Sequence, residues 1–168
     1  HYDRGAVPDA AAVDFRRAAE IPEGAPLIVM IAELYRNKRP LDAVMALAAM
    51  KRTDAHLALL GEGPLAGEIH ALAVRLGVEG RVHLCGFVPD VRPALASASA
   101  GLLTSEREGL PRAIMECLAM GVPVVSTDAR GCRVLVGAAG VVVPVGDVAA
   151  FGIVSGEQRH ARLEYIHG

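Results

Sequence analysis

Short apolar runs alternate with longer amphipathic ones along most of this chain, and the alternation predicts a layered fold. Leu27–Ala32, His56–Leu60, Arg81–Cys85, Gly101–Leu103 with Ala100 leading in, and Pro123–Ser126 read as strands, being short, largely apolar and bounded by turn residues. Between them, Pro40–Lys51, Pro64–Leu76, a shorter Pro89–Ala98 and Pro111–Met120 read as helices. Strands of this length joined by helices of about ten residues specify right-handed β-α-β crossovers, hence an α/β fold with a doubly wound parallel sheet. Before this pattern, residues 1–24 carry no strand signal; Ala10–Ala19 can form a helix, and Ile21-Pro22-Glu23-Gly24 closes the segment as a turn. After Gly131 the pattern weakens to a short strand at Val141–Val143 and a helix from Asp147 onward. The expected organisation is a lead-in or linker over 1–24 and one domain over 25–168.

Composition supports this reading. The chain has 168 residues, enough for one domain with a real core, and 52% are hydrophobic, as expected when helices cover both faces of a sheet. Net charge is only −2, without a long basic block, so nucleic acid is not an expected partner. Three Tyr, three Phe and no Trp also leave few stacking platforms for bases. Cys85, Cys117 and Cys132 stand too far apart for a zinc or redox pair and read as buried thiols of a reducing compartment. The six histidines form no ligand cluster, so no metal is expected; His83, within a strand, reads as structural. No apolar run approaches the ~20 residues of a membrane span, and no leader is expected. The expectation is a cytoplasmic protein, with peripheral membrane association open to a full-length form.

The most specific chemistry lies in Ser105–Asp128, which sets Glu108 and Glu116 eight positions apart around a helix start. Pro111 suits a first helical position, where its missing N–H had no partner. Glu108 then sits in the preceding loop and Glu116 about two turns along the helix. Open N–H groups and the positive helix end over Gly109, Leu110 and Pro111 favour an anion or a hydroxyl-rich ligand. A carboxylate accepts from two neighbouring hydroxyls, which matches a hexose at Glu108 and a ribose at Glu116. Leu110, Ile114, Cys117, Leu118 and Gly121 recur at helical spacing and should face the sheet, with Glu116 off that stripe. Upstream, Glu33-Leu34-Tyr35-Arg36-Asn37-Lys38-Arg39-Pro40 gathers three cations before a helix, an arrangement suited to a diphosphate and also common in plain solvated loops.

Two glutamates with seven residues between them, followed by Ala119-Met120-Gly121-Val122-Pro123-Val124-Val125-Ser126-Thr127-Asp128, resemble the signature of GT-B glycosyltransferases of the family 4 type, also called group 1. The resemblance is good over about residues 25–135. It implies a Rossmann-like domain that forms the C-terminal, donor-binding half of a GT-B fold. It further implies that Glu108 contacts the donor sugar and is the catalytic candidate, that Glu116 contacts the ribose, and that Lys38 binds phosphate with Arg36 or Arg39 as helpers. The family's usual arginine five residues before Lys38 is Glu33 here, and the acidic residue that normally follows Arg133 is Val134. Gly61-Glu62-Gly63-Pro64-Leu65 resembles the family's glycine turn; alone it is a tight turn into a helix. Cys85–Asp90 resembles the segment whose backbone holds the nucleobase, which makes Phe87 and Val88 donor-binding candidates; alone, they read equally as residues packing a strand end.

The resemblance implies retaining transfer of a hexose from a nucleotide-diphosphate sugar to an acceptor hydroxyl. The partners it implies are a nucleotide sugar and a carbohydrate or lipid-linked acceptor, the latter bound through an N-terminal half outside this chain, as in polysaccharide biosynthesis. No cofactor and no metal are expected: no Asp-x-Asp pair occurs in the sequence. The domain alone is expected to bind without turnover. A sugar-nucleotide 2-epimerase of GT-B design and a non-catalytic nucleotide-binding module are the alternatives.

Overall fold

The structure is a computed structural model that describes residues 6–151. Its centre is one sheet of β1 (Leu27–Ile31), β2 (His56–Leu60), β3 (Val82–Gly86), β4 (Ala100–Leu103), β5 (Val124–Thr127) and β6 (Gly140–Val143). Every pairing is parallel, and the spatial order is β3-β2-β1-β4-β5-β6. Helices α1 (Asp9–Ala18), α2 (Pro40–Ala49), α3 (Ala66–Arg75), α4 (Arg92–Ser97), α5 (Arg112–Ala119) and α6 (Cys132–Val136) connect and cover it. The expected doubly wound parallel sheet is therefore the observed one, and Arg36–Lys38 forms an additional 3-10 turn.

Alternate side chains of the buried strands feed two separate cores. Met30, Leu57 and Leu59 face α2 and α3, together with the fully buried Phe151. Leu27, Val29, Ala58 and Leu60 face the opposite side, against residues of α4, α5 and α6. Burial on both faces explains why β1 and β2 read as continuous apolar runs without alternation. Gly101 lets β4 lie close under α5, because a Cβ there would stand 2.5 Å from the Cys117 sulfur.

Several boundaries move by a few residues for identifiable reasons. Helix α3 starts at Ala66, not Pro64, because the buried Leu65 donates its N–H to the Leu34 carbonyl at 3.1 Å and so belongs to the loop. Helix α4 starts at Arg92, since the Asp90 carboxylate accepts the Arg92 N–H at 3.0 Å and closes a turn first. Pro111 is not the first helical residue: its ψ of 73° places it as the cap, one position before α5. That break also corrects the apolar stripe. Ile114, Cys117 and Met120 are buried, whereas Leu110 is 61% exposed because the helical phase does not extend back to it. Gly121 is exposed too, turning the chain out of α5 at φ 65°. Residues 148–151 are helical, as expected from Asp147 onward, and the rest of that predicted helix lies outside the described residues.

The segment expected as a lead-in folds onto the body of the sheet. Arg16 of α1 donates to the carbonyls of Pro22, Ala25 and Ser97 at 2.9–3.0 Å, and Ile21 is buried in the second core. Cys85 is half-buried and Cys117 and Cys132 are buried, all as free thiols. Burial pushes the Cys85 thiol up to about 11 and Cys117 to about 12, which disfavours the thiolate form of both near neutrality.

His83 is structural, as expected, but through a partner the sequence did not suggest. Its Nε2 lies 2.8 Å from Nδ1 of His56, and the rings stack with centroids 5.1 Å apart. One nitrogen of the pair must be bare to accept the other's proton. Burial lowers both pKa values; at His56 the His83, Arg81 and Arg16 side chains add to this while Asp54 opposes it, and at His83 the Ala19 backbone and Glu20 oppose it. The unfolded chain then takes up protons near pH 6.5 that the folded pair resists, so this contribution is complete above that pH and lost as pH falls through the depressed folded values. In urea titrations, wild type should lose stability between pH 7.5 and 5.5, by at most about 1.4 kcal/mol per pH unit for each proton difference. His83→Gln should show a shallower loss; an identical pH slope would remove the pair from the titration.

Candidate functional site

In a sheet of this order the crossovers leave β1 and β4 in opposite directions, α2 covering one face and α5 the other. A crevice opens outside the carboxyl ends of the two strands, where the winding reverses. A cleft of about 550 Å³ lies there. Its floor is the ends of the central strands at Ile31, Leu60 and Leu103; its walls are the loops that follow them.

The first loop brings in Lys38. The chain leaves β1 through Glu33 and Leu34, turns through Arg36–Lys38, and enters α2 from Arg39 at φ 51°. Lys38 Nζ donates to Glu108 Oε1 at 2.8 Å, with the carboxylate side chain only 8% exposed and the lysine 22%. The two residues stand 70 positions apart in sequence, and the fold makes them an ion pair lining the cleft.

The other two cations of this loop turn elsewhere. Arg39 donates to Asp42 at 2.7 Å and to Glu106 at 2.9 Å, and those contacts, Asp42 first, hold its pKa above the usual guanidinium value. Arg36 reaches Glu68 of α3 at 3.6 Å on the surface. Neither lines the cleft, which contradicts the expected cluster of three cations. The physical reason is local charge: Asp42, Glu68 and Glu106 each lie within reach of an arginine. Glu33 does line the cleft, placing a carboxylate on the same rim as Lys38.

The second loop supports the first. A Cβ on Gly61 would overlap the Ala32 carbonyl, and one on Gly63 would lie 2.6 Å from the Leu34 carbonyl oxygen. Backbone bonds complete the contact, Ala32 N–H to Leu60 O at 3.0 Å and Leu34 N–H to Glu62 O at 2.9 Å. The Gly-x-Gly run is thus a close-approach device between loops as well as a turn.

The third loop forms the far wall. Phe87 is 72% exposed at the cleft mouth, so it does not pack the strand end; Val88 does, touching the second core and lining the cleft. The Glu62 carboxylate accepts the Phe87 N–H at 3.4 Å, tying the second loop to the third.

The fourth loop supplies Glu108, the exposed Gly109, and then Leu110 and Pro111 at the cleft. Glu116, partly buried on α5, lines the same cleft as Lys38 and Glu108. The expected open N–H groups are fewer than the sequence suggests, because Arg112 N–H turns back to the Leu110 carbonyl at 2.8 Å. Arg112 itself was not anticipated. It lines the cleft from the first turn of α5, where a cation opposes the helix dipole, and that unfavourable placement is the signal by which the sequence could have shown it. Downstream, Arg133 and Asp128 pair at 2.6 Å, while Val134 projects 87% exposed. Among the described residues no group of three or more His, Cys, Asp or Glu could hold a metal ion, and no helix is long and apolar enough to cross a membrane.

A family model described as "Glycosyl transferases group 1" matches residues 25–153. The lipopolysaccharide core biosynthesis glycosyltransferase LpsE of Rhizobium meliloti (strain 1021) is 34% identical over 142 residues, 83% of this chain and 41% of LpsE. The crystal structure of WaaG, a glycosyltransferase involved in lipopolysaccharide biosynthesis, matches 99% of this chain with TM-score 0.85 and 20% identity. Anabaena Alr3699/HepE in complex with UDP-glucose matches 97% with TM-score 0.81 and 20% identity. This chain covers 47% and 50% of those two structures, and at such identities they establish the fold alone. It spans about two fifths of LpsE and half of the structural neighbours. With its family match and its relatives, the chain belongs to the group 1 glycosyl transferases, and its strand order gives it the Rossmann-like sheet found in GT-B structures.

Proposed function

We propose that this chain is the donor-binding, C-terminal half of a retaining glycosyltransferase that moves a hexose from a nucleoside-diphosphate sugar to an acceptor hydroxyl. The observation that carries this reading is the Lys38–Glu108 pair, 2.8 Å apart in a cleft that Glu116 also lines. Among the charged side chains that line the crevice, Lys38, Glu108 and Glu116 match the three parts of such a donor. Lys38 meets the diphosphate, Glu108 the hexose hydroxyls and Glu116 the ribose, while the third-loop backbone at Phe87 and Val88 holds the base. The HepE neighbour was solved with UDP-glucose, which supports a uridine donor as the first to test.

Lys38 and Glu108 satisfy each other across the cleft wall. A donor would replace that pair on both sides at once, diphosphate oxygens for the lysine and sugar hydroxyls for the carboxylate. As the bond to the sugar breaks, charge grows on the leaving diphosphate, and Lys38 with the α5 N-terminus would offset it electrostatically, with no metal required by the proposal. The acceptor, a carbohydrate or lipid-linked sugar, would enter against a second half corresponding to the remaining length of the relatives. This chain alone would bind donor without turnover. The proposal places the protein in the cytoplasm, where nucleotide sugars are available, with the acceptor side facing a membrane when the acceptor is lipid-linked.

Lys38→Ala should weaken UDP or GDP by about tenfold or more while leaving uridine or guanosine nearly unchanged, since only the diphosphate loses a charge-assisted bond. Calorimetric titration of both ligand types decides this, and equal losses would count against a phosphate role. Glu116→Ala should cost a similar factor for the nucleotide, and a 2′,3′-dideoxy nucleotide should show the same loss in wild type with little more in the variant. Additive losses would show that carboxylate and ribose do not meet. Glu108→Gln should leave UDP or GDP binding nearly intact and abolish the extra affinity of the matching nucleotide sugar. In a protein that includes the acceptor half its turnover should fall further than its binding. Unchanged sugar discrimination and turnover would take Glu108 out of the reaction.

A further inference from the structure

The junction between the first and fourth loops is held by contacts outside the sheet ladder. Strands β1 and β4 pair only through Ile28↔Ala100 and Val29↔Gly101. Past that point the loops are joined by Glu106 N–H to Asn37 O at 3.0 Å, by the Arg39–Glu106 and Lys38–Glu108 ion pairs, and by one side-chain hydroxyl. That hydroxyl is Thr104 Oγ1, which donates to the Lys38 carbonyl at 2.7 Å, with the Met30 sulfur 3.7 Å away beside it. Thr104 is fully buried at the end of an apolar strand, where valine would have the same shape and no polar atom to desolvate. The strand core therefore gains nothing from the hydroxyl, and the loop above it does.

We propose that Thr104 is a positioning residue for the donor diphosphate: its hydroxyl fixes the Lys38 carbonyl, hence the 3-10 turn and the direction in which the Lys38 ammonium leaves it. The inference rests on the reading of Lys38 as the phosphate-binding residue. The turn needs such an anchor because Arg39, which follows it, is held at φ 51°, a backbone conformation that non-glycine residues adopt reluctantly. Thr104 touches no substrate in this account. It acts through Lys38, and the cost of its loss should fall on the diphosphate and spare the nucleoside.

The test uses the chain as it stands, titrated with UDP, GDP, uridine and guanosine. Thr104→Val should weaken the binding diphosphate by about 3- to 10-fold, the range of one net hydrogen bond, with the nucleoside unchanged and thermal unfolding still cooperative. Thr104→Ser, which retains the hydroxyl, should restore most of the affinity. Combined with Lys38→Ala, Thr104→Val should add no further loss, because its effect passes through the ammonium that has been removed. Should the valine variant not fold, Thr104→Ala serves in its place, since it leaves space instead of an apolar group against the carbonyl. Equal losses for nucleoside and diphosphate, or full additivity with Lys38→Ala, overturn the assignment in favour of a general packing role. An unaltered diphosphate affinity in Thr104→Val beside a clear loss in Lys38→Ala overturns Thr104 alone. No loss in Lys38→Ala overturns the reading of the cleft, and the Thr104 assignment falls with it.

Discussion

The reversal of winding between β1 and β4 is the constraint on which the site depends. A right-handed crossover carries the chain from β1 to one face and from β4 to the other, so the loops after these strands separate and leave a crevice no helix fills. The backbone ladder between the two strands is short, and the crevice would be loosely bounded without other bonds. Polar contacts between the two loops supply those bonds. Among those contacts the Lys38–Glu108 pair both ties the loops together and lines the cleft.

Burying the Lys38–Glu108 pair has a physical cost that shapes its role. Removing two charges from water is expensive, and their attraction offsets this only with good geometry and further hydrogen bonds. Such a pair is weak evidence of stabilisation. Under the proposed function it is two groups held in place until a polyanion and sugar hydroxyls would replace each partner. Substituting either member leaves the other charge without its ionic partner; Glu108→Gln still keeps an oxygen that can accept from the Lys38 ammonium, which an alanine does not, and is the more informative change.

The order of elements was legible because buried strands are apolar on both faces and turn residues bound them; every strand limit holds to within one residue. Helix starts were less legible. Leu65 and Asp90 decide where α3 and α4 begin through hydrogen bonds to groups that periodicity does not see. At α5, proline at a cap and proline at a first helical position look alike in sequence, and the difference turns Leu110 from core to cleft. In the site, motif spacing carried Lys38, Glu108 and Glu116 to one place, since those positions follow strand ends that topology brings together. It misplaced Arg36 and Arg39, whose direction is set by Asp42, Glu68 and Glu106, partners that charge counting along one loop leaves out. The histidine pair was invisible for the same reason: His56 and His83 become neighbours only when β2 and β3 align.

The glycines at 61 and 63 bear on how this scaffold can be re-engineered. Their bare Cα atoms lie against the carbonyls of Ala32 and Leu34, so the first two loops fit as one surface. A loop graft that imports a new sequence from Glu33 to Arg39, aimed at reshaping the cleft, would keep the strand ends but lose that fit unless the neighbouring turn came with it. The smallest exchangeable unit is the pair of loops, which sets the minimum size of any library built to change what the cleft accepts.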